Sequence, residues 1–143
     1  MNKGCRYGTH RVLAPAGTLP QPAQKLDNTM SIYDNEVLID VQTLNIDSAS
    51  YTQIKHACGS NAEMMKKMIL DIVEERGKMQ NPVTGSGGML IGTVKEIGPN
   101  FPKGKIKVGD KIATLVSLSL TPLKIKEIKK LTADSDQVDV EAQ

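Results

Sequence analysis

The first segment that could take part in catalysis or binding contains a carboxylate with several polar residues close to it in the sequence. In the run Asn45-Ile46-Asp47-Ser48-Ala49-Ser50, the acidic side chain follows an alternating stretch that is typical of a strand. A carboxylate at a strand end can bind an ammonium group or accept its proton. The same Asp can instead start a turn or cap a helix, as Ser48 or Ser50 can. Asn45 can orient a ligand or occupy a turn, so the residues alone leave both interpretations open.

A glycine-rich loop, residues 82–88, is the second such segment. Three of its last four residues are glycine, which lets the backbone approach a ligand or another strand closely. Thr84 and Ser86 could line a pocket there, or they could satisfy the polar groups of the loop backbone. The Lys-Ser/Thr ending of a phosphate-binding loop is missing, and no G-x-G-x-x-G opens a helix. We therefore do not expect a nucleotide site in this loop.

Five other reactive side chains are weaker candidates. Arg11 could clamp a carboxylate through its planar fork, but an Arg in a proline-rich lead-in is more often a surface residue. His10 lies beside it without an assigned role. His56 could carry a proton near neutral pH, although a partly exposed structural role fits its neighbours better. Cys5 and Cys58 show no sign of nucleophilic activation and form no zinc-binding cluster.

Three strands are predicted to position these residues. Alternation of apolar residues predicts strands at 36–44 and 89–97, and a third strand at 111–120 follows a glycine turn. Gly92, inside the second strand, indicates a bulge or a tight bend. Residues 132–143 are acidic and weakly patterned, which predicts a frayed end.

One helix is predicted, beginning near Ser60 and ending at Gly77. Ser60 and Glu63 match a capping box, and Met and Ile residues follow at helical spacing. The basic run at 124–130 is interpreted as a solvated face of a helix or strand. Tight glycine turns between strands, with one helix, favour a mainly β fold with some α: a small barrel with a helical insertion.

Composition sets the class of protein. A chain of 143 residues is about one domain, and 18 Lys and Arg against 16 Asp and Glu give a net charge of +2. This balance argues against a nucleic-acid partner. No 18-residue apolar stretch is present, so no membrane span is expected. No signal peptide opens the sequence, which favours a cytoplasmic protein with reduced thiols.

Residues 87–98 and 108–112 resemble the medium-chain dehydrogenase/reductase superfamily, in which a G-H-E-x-x-G-x-V segment leads to a V-G-D-x-V turn. The resemblance implies a GroES-like β-barrel catalytic domain. It also aligns Asp47 with the first zinc-ligand Cys, and Gly88 and Met89 with the His and Glu. Because zinc needs several Cys, His or carboxylate ligands, we expect no metal.

A closer resemblance, covering nearly the whole chain, is to the L-erythro-3,5-diaminohexanoate dehydrogenase family. It rests above all on the segments N-I-D-S-A-S and N-P-V-T-G-S-G-G-M. The stretches that carry it are residues 3–12, 45–50, 81–89 and 113–123. The resemblance implies NAD(P)-dependent oxidative deamination of 3,5-diaminohexanoate to 5-amino-3-oxohexanoate in lysine fermentation.

The resemblance also implies roles and partners. Residues 1–143 would be the GroES-like catalytic domain, and NAD or NADP would be bound mainly by a Rossmann half that these residues do not contain. Asp47 would be catalytic. The substrate would be bound by Asn45, Ser48, Ser50, Thr84 and Ser86. A homo-oligomer is allowed for the full-length enzyme, whereas the isolated chain is expected to be inactive. Two alternatives stay open: a zinc-independent quinone or enone reductase, and a non-catalytic GroES-like binding module.

Overall fold

A five-stranded antiparallel sheet organises the chain, and two helices pack on one of its faces. The computed structural model describes residues 1–143. The elements in chain order are β1 Val12–Ala14, β2 Lys25–Leu26, β3 Val37–Ile46, α1 Ser48–Ala57, α2 Ala62–Arg76, β4 Gly88–Ile97, β5 Lys111–Ala113, β6 Ile125–Thr132 and β7 Ser135–Ala142. The predicted mainly β fold with some α is confirmed.

The sheet is open. Its strand order is β5-β4-β3-β7-β6, while β1 and β2 form a separate ribbon. Because β5 and β6 each lack a partner on one side, the sheet does not form the closed barrel that the sequence predicted. The irregularity expected at Gly92 is confirmed, since the β3–β4 register shifts between Val41 and Thr43, opposite that glycine.

The predicted strands at 36–44 and 89–97 are confirmed as β3 and β4, with ends that differ by up to two residues. The predicted strand at 111–120 is wrong beyond Ala113. After that residue the chain turns, and a 3-10 helix spans Leu118–Leu120. The hydroxyl of Ser117 caps this short helix by accepting from the Ser119 N–H at 3.2 Å. A local cap therefore replaces further strand pairing.

Helix α2 is confirmed, but its predicted cap is wrong. The side chain of Asn61 accepts from the Met64 N–H at 3.1 Å, whereas Ser60 has a φ of 61° and does not cap the helix. Helix α1 was not predicted. It buries Ser50, Tyr51 and Ile54, a face with too few apolar residues to show helical periodicity.

The frayed end predicted for residues 132–143 is wrong, because these residues form β7, which pairs with both β3 and β6. Its buried positions alternate at Val138, Val140 and Ala142. The basic run lies on β6, at the edge of the sheet. Register shifts in β6 leave two outward residues between successive inward ones, so lysines dominate its exposed side.

An aliphatic, methionine-containing core joins the helices to the sheet. Its fully buried residues include Leu44 and Ile46 from β3, Ile54 from α1, and Met65 and Ile69 from α2. The Tyr51 hydroxyl also donates to the carbonyl of Thr132, which ties α1 to the far end of β6. Neither helix has the length and hydropathy needed to cross a membrane.

Candidate functional site

The candidate site forms where β3 ends and α1 begins. Asp47 occupies this junction with extended backbone (φ −62°, ψ 154°), and its Oδ1 accepts from the Ser50 N–H at 2.9 Å. It is therefore the N-cap of α1. Pairing of Ile46 with Gly88 brings the glycine-rich loop beside the junction, and the Asp47 N–H donates to the carbonyl of Gly87 at 3.0 Å.

Three hydroxyl groups meet next to this carboxylate, and we call Ser50, Thr84 and Ser86 the hydroxyl cluster. Their Oγ atoms form a triangle: Ser50 to Ser86 is 2.7 Å, Ser50 to Thr84 is 2.9 Å and Thr84 to Ser86 is 2.9 Å. Ser86 Oγ also lies 3.0 Å from Asp47 Oδ1. Four of the six predicted site residues are thus joined in one hydrogen-bond network.

The two oxygens of Asp47 have different surroundings. Oδ1 accepts from the Ser50 N–H at 2.9 Å and from the Ser86 hydroxyl at 3.0 Å. Oδ2 has one contact, with Ser50 Oγ at the long distance of 3.4 Å. Asp47 is half-buried, and no Lys, Arg or His nitrogen lies within 4.0 Å of its carboxylate. One oxygen is therefore held by the fold and the other can receive a cation.

The hydroxyl cluster extends from the interior to the surface. Ser50 has no exposed surface, Ser86 is half-buried and Thr84 is exposed. The Ser50 side chain is therefore surrounded by protein atoms, and its neighbours provide the link to solvent.

Asn81 connects the glycine-rich loop to α1 through hydrogen bonds, a role that the sequence did not predict. It is 1% exposed, and its side-chain amide donates to Gln53 Oε1 at 2.9 Å and to the Ser50 carbonyl at 3.4 Å. Its Oδ1 accepts from the Val83 N–H at 2.8 Å, and its own N–H donates to the Ser86 carbonyl at 2.9 Å. The Asn-Pro start of the loop was the one available signal.

Asn45 and Ser48 lie outside the network. Asn45 is half-buried on β3 and pairs with Met89 and Gln137, while its side chain makes no hydrogen bond within the chain. Ser48 is the first, exposed residue of α1 and likewise has no side-chain partner. Both side chains are free to meet a ligand, and their substrate-binding roles stay predictions.

Arg11 is not the surface residue expected from the sequence. It is 5% exposed, and its guanidinium donates to Glu36 and to three backbone carbonyls, so no N–H remains for a ligand. His10 accepts from the Cys5 N–H and contacts Glu36, which makes it part of the same structural cluster. His56 is exposed at the end of α1.

The two cysteines lie in different environments. Hydrogen bonds from the Thr9 hydroxyl and the Tyr7 N–H hold the pKa of the Cys5 thiol below the ordinary value. Cys58 is buried in the core.

Metal ligands do not converge in this structure, because no three His, Cys, Asp or Glu side chains are grouped closely enough to hold an ion. Gly88 is the residue that the resemblance to the medium-chain pattern aligned with a His. A Cβ there would collide with the carbonyl of Asn45, and the φ of 138° strains any L side chain. The local backbone is therefore incompatible with the zinc-ligand pattern.

The glycine-rich loop does not fit a dinucleotide phosphate. It leads into β4 rather than into a helix, and three of its amides donate within the loop. The N–H groups of Val83, Gly85 and Ser86 donate to Asn81 Oδ1, the Asn81 carbonyl and Thr84 Oγ1. The described sheet is also wholly antiparallel, unlike a βαβ nucleotide-binding unit.

Comparison with known proteins shows that the chain matches the N-terminal domain of a dehydrogenase family. Residues 10–143 match the family described as the L-erythro-3,5-diaminohexanoate dehydrogenase N-terminal domain. The chain belongs to this family.

Two curated relatives carry the name L-erythro-3,5-diaminohexanoate dehydrogenase. The protein from Fusobacterium nucleatum subsp. nucleatum is 63% identical over 141 residues, which are 98% of this chain and 41% of the relative. The protein from Acetoanaerobium sticklandii is 63% identical over 140 residues, 96% of this chain and 40% of the relative. The chain thus spans about two fifths of the length of the relatives that it matches.

Proposed function

We propose that this chain is the substrate-binding, catalytic part of an enzyme that oxidatively deaminates 3,5-diaminohexanoate to 5-amino-3-oxohexanoate. Family membership and the names of the two relatives support a dehydrogenase of this type. The single observation that carries the role of the site is Asp47, a half-buried carboxylate whose Oδ2 has only one, long contact and which has no cation of the chain beside it. Such a group is suited to a substrate ammonium.

The proposed reaction sets the tasks of the site. An ammonium-bearing carbon, an oxidised nicotinamide cofactor and one water give a ketone, an ammonium ion, the reduced cofactor and one proton. Before the carbon can be oxidised, the ammonium must become a neutral amine. Asp47 Oδ2 accepts this proton, while Oδ1 stays fixed by Ser50 and Ser86. Asn45 and Ser48 orient the substrate with their unpartnered side chains.

NAD or NADP is the proposed hydride acceptor, as in the family resemblance. The described residues do not fit a dinucleotide, so we assign the cofactor to a part of the enzyme beyond them. The isolated chain should accordingly neither bind the cofactor well nor turn over. We further propose a cytoplasmic enzyme that works without zinc, and elemental analysis of the purified protein should find no stoichiometric zinc.

The alternatives have less support from this site. A quinone or enone reductase acts on an uncharged substrate, which gives no use to the free oxygen of Asp47. A binding module would not require a carboxylate without a cationic partner. The GroES-like relationship remains a proposal that rests on the shared glycine and valine pattern.

Replacement of Asp47 by Asn in the full-length enzyme tests the proposal. The Asn oxygen can still cap α1, so the fold should persist while the group loses its charge. We expect kcat/KM for 3,5-diaminohexanoate to fall by about 100-fold, measured by reduction of NAD or NADP.

Asp71→Asn is the matched control, because Asp71 is exposed on α2 and pairs only with Lys67. Its activity should equal that of the parent. Parent-like kinetics in Asp47→Asn would contradict the role of Asp47, and an inactive, well-folded parent would contradict the proposed substrate.

A further inference from the structure

Ser50 has a hydroxyl whose surroundings exceed the needs of a helix cap. The backbone N–H of Ser50 already completes the cap, and its Oγ is buried among four oxygens. These are Asp47 Oδ2 at 3.4 Å, Thr84 Oγ1 at 2.9 Å, Ser86 Oγ at 2.7 Å and the Ser86 carbonyl at 3.2 Å. A hydroxyl has one proton, so it donates to one of these and accepts from others.

One arrangement of protons connects the carboxylate with solvent. The Ser86 hydroxyl donates to Asp47 Oδ1, the Ser50 hydroxyl donates to Thr84, and exposed Thr84 donates to water. When Asp47 Oδ2 carries a proton, Ser50 Oγ accepts from it through a lone pair, whereas Ser50 is the donor in this contact when Oδ2 is ionised. This chain of three groups runs from the half-buried Asp47 carboxyl group through the fully buried Ser50 hydroxyl to the exposed Thr84 hydroxyl.

Catalysis would create a need for such a path. After Asp47 accepts the substrate proton, it must lose that proton before the next turnover. The substrate then lies against the free side of Oδ2, while the hydroxyl cluster contacts the inner side of the carboxyl group.

We propose that Ser50 and Thr84 form a proton relay from Asp47 to solvent, with Ser86 as a positioning residue that holds the carboxylate. This proposal rests on the proposed function. The proton on Asp47 Oδ2 passes to Ser50 Oγ, the Ser50 proton passes to Thr84 Oγ1, and the Thr84 proton passes to water. One proton leaves Asp47 and one reaches solvent. Rotation of the two hydroxyls restores the starting state.

Thr84→Val and Thr84→Ser test the relay as a matched pair. Val keeps the branched shape without the hydroxyl, whereas Ser keeps the hydroxyl, and the exposed position makes either change tolerable to the fold. In the 143-residue chain, NMR saturation transfer measures how fast the Ser50 hydroxyl proton exchanges with water. We expect Thr84→Val to slow this exchange at least tenfold, because a tenfold change corresponds to roughly the free energy of one hydrogen bond. Thr84→Ser should restore the exchange rate of the parent.

Kinetics of the full-length enzyme supply the second readout. Thr84→Val should lower kcat by about 100-fold with little change in KM, and added imidazole buffer should recover the rate by taking the proton directly. Thr84→Ser should restore kcat without buffer. A merely structural defect would not respond to buffer.

The outcomes separate the relay from the proposed function. Parent-like hydroxyl exchange in Thr84→Val overturns the relay, and so does slowed exchange with an unchanged kcat. If the parent does not oxidise 3,5-diaminohexanoate, the proposed function fails, and the exchange rates alone then decide whether the proton path exists. Slowed exchange, lowered kcat and rescue by buffer together support the relay.

Discussion

Arg11 and Glu36 form a bidentate ion pair beneath the N-terminal segment, with Nε 2.8 Å from Oε2 and Nη2 2.6 Å from Oε1. The remaining guanidinium N–H groups donate to the carbonyls of Asp27, Thr29 and Ser31, and the guanidinium lies over the ring of Tyr33. One buried side chain therefore holds the segment from Asp27 to Ser31 against the start of β3.

Arg11→Met should destabilise the chain by about 3–5 kcal/mol, because it leaves the Glu36 carboxylate without its main partner. Urea unfolding followed by circular dichroism measures this change. The double variant Arg11→Met with Glu36→Met removes both charges and should lose less than the single variant. A cost below about 1 kcal/mol for Arg11→Met, the level of an exposed ion pair, would contradict the structural role.

Acid should weaken the same region through Asp34. Hydrogen bonds from the Gly4 N–H at 2.7 Å and the Asn100 amide at 2.6 Å lower the pKa of this carboxyl. Because the pKa is lower in the folded chain, the ionised carboxyl group stabilises the fold fully at pH values above about 4, the ordinary pKa of Asp. This contribution is lost as the pH falls through the lowered pKa. Asp34→Asn should therefore reduce the slope of stability between about pH 4 and pH 2. Equal slopes in urea titrations of both proteins would argue against it.

The parts of the fold that the sequence predicted are those with strong local patterns. Alternation marked β3 and β4, and spaced Met and Ile residues marked α2. Helix α1 was missed because Ser50, a polar residue, fills one of its buried positions. Strand β6 was missed because register shifts give it an inward spacing of three, at Ile125, Ile128 and Leu131, instead of two.

The residues of the site were predicted from the sequence, but the hydrogen bonds among them were not. Asp47, Ser50, Thr84 and Ser86 stood out through residue type and resemblance, and the pairing of β3 with β4 brings them together. No pattern in the sequence could assign donors and acceptors among three hydroxyls, since these depend on distances between residues 36 positions apart.

Lys78 predicts a gain of stability at alkaline pH. Its side chain has no exposed surface and donates to the carbonyls of Pro20 at 2.7 Å and Gln21 at 3.2 Å. Burial, with repulsion from Arg76, lowers the pKa of Lys78 from 10.5 to about 8. Between these two values the unfolded chain holds a proton that the folded chain has released, so stability should rise with pH.

Lys78→Met removes this titration while keeping an unbranched apolar stem. Urea midpoints at pH 7.5, 9 and 10 should rise in the parent relative to the variant. A constant difference between the two proteins across this range would show that Lys78 keeps its ordinary pKa in the folded chain.

Gly88 and Gly85 provide a matched test of how the loop positions Asp47. Both have positive φ, at 138° and 73°, but a Cβ at position 88 would collide with the backbone of Asn45, whereas one at position 85 meets no atom within 4 Å. Gly85→Ala should cost about 1–2 kcal/mol from left-handed strain alone. Gly88→Ala should cost about 3 kcal/mol or more, because the collision adds to the strain and separates β3 from β4. Chemical denaturation measures both costs. Similar values would mean that β3 can move away at this point, and the backbone would then no longer explain why position 88 lacks a metal-binding side chain.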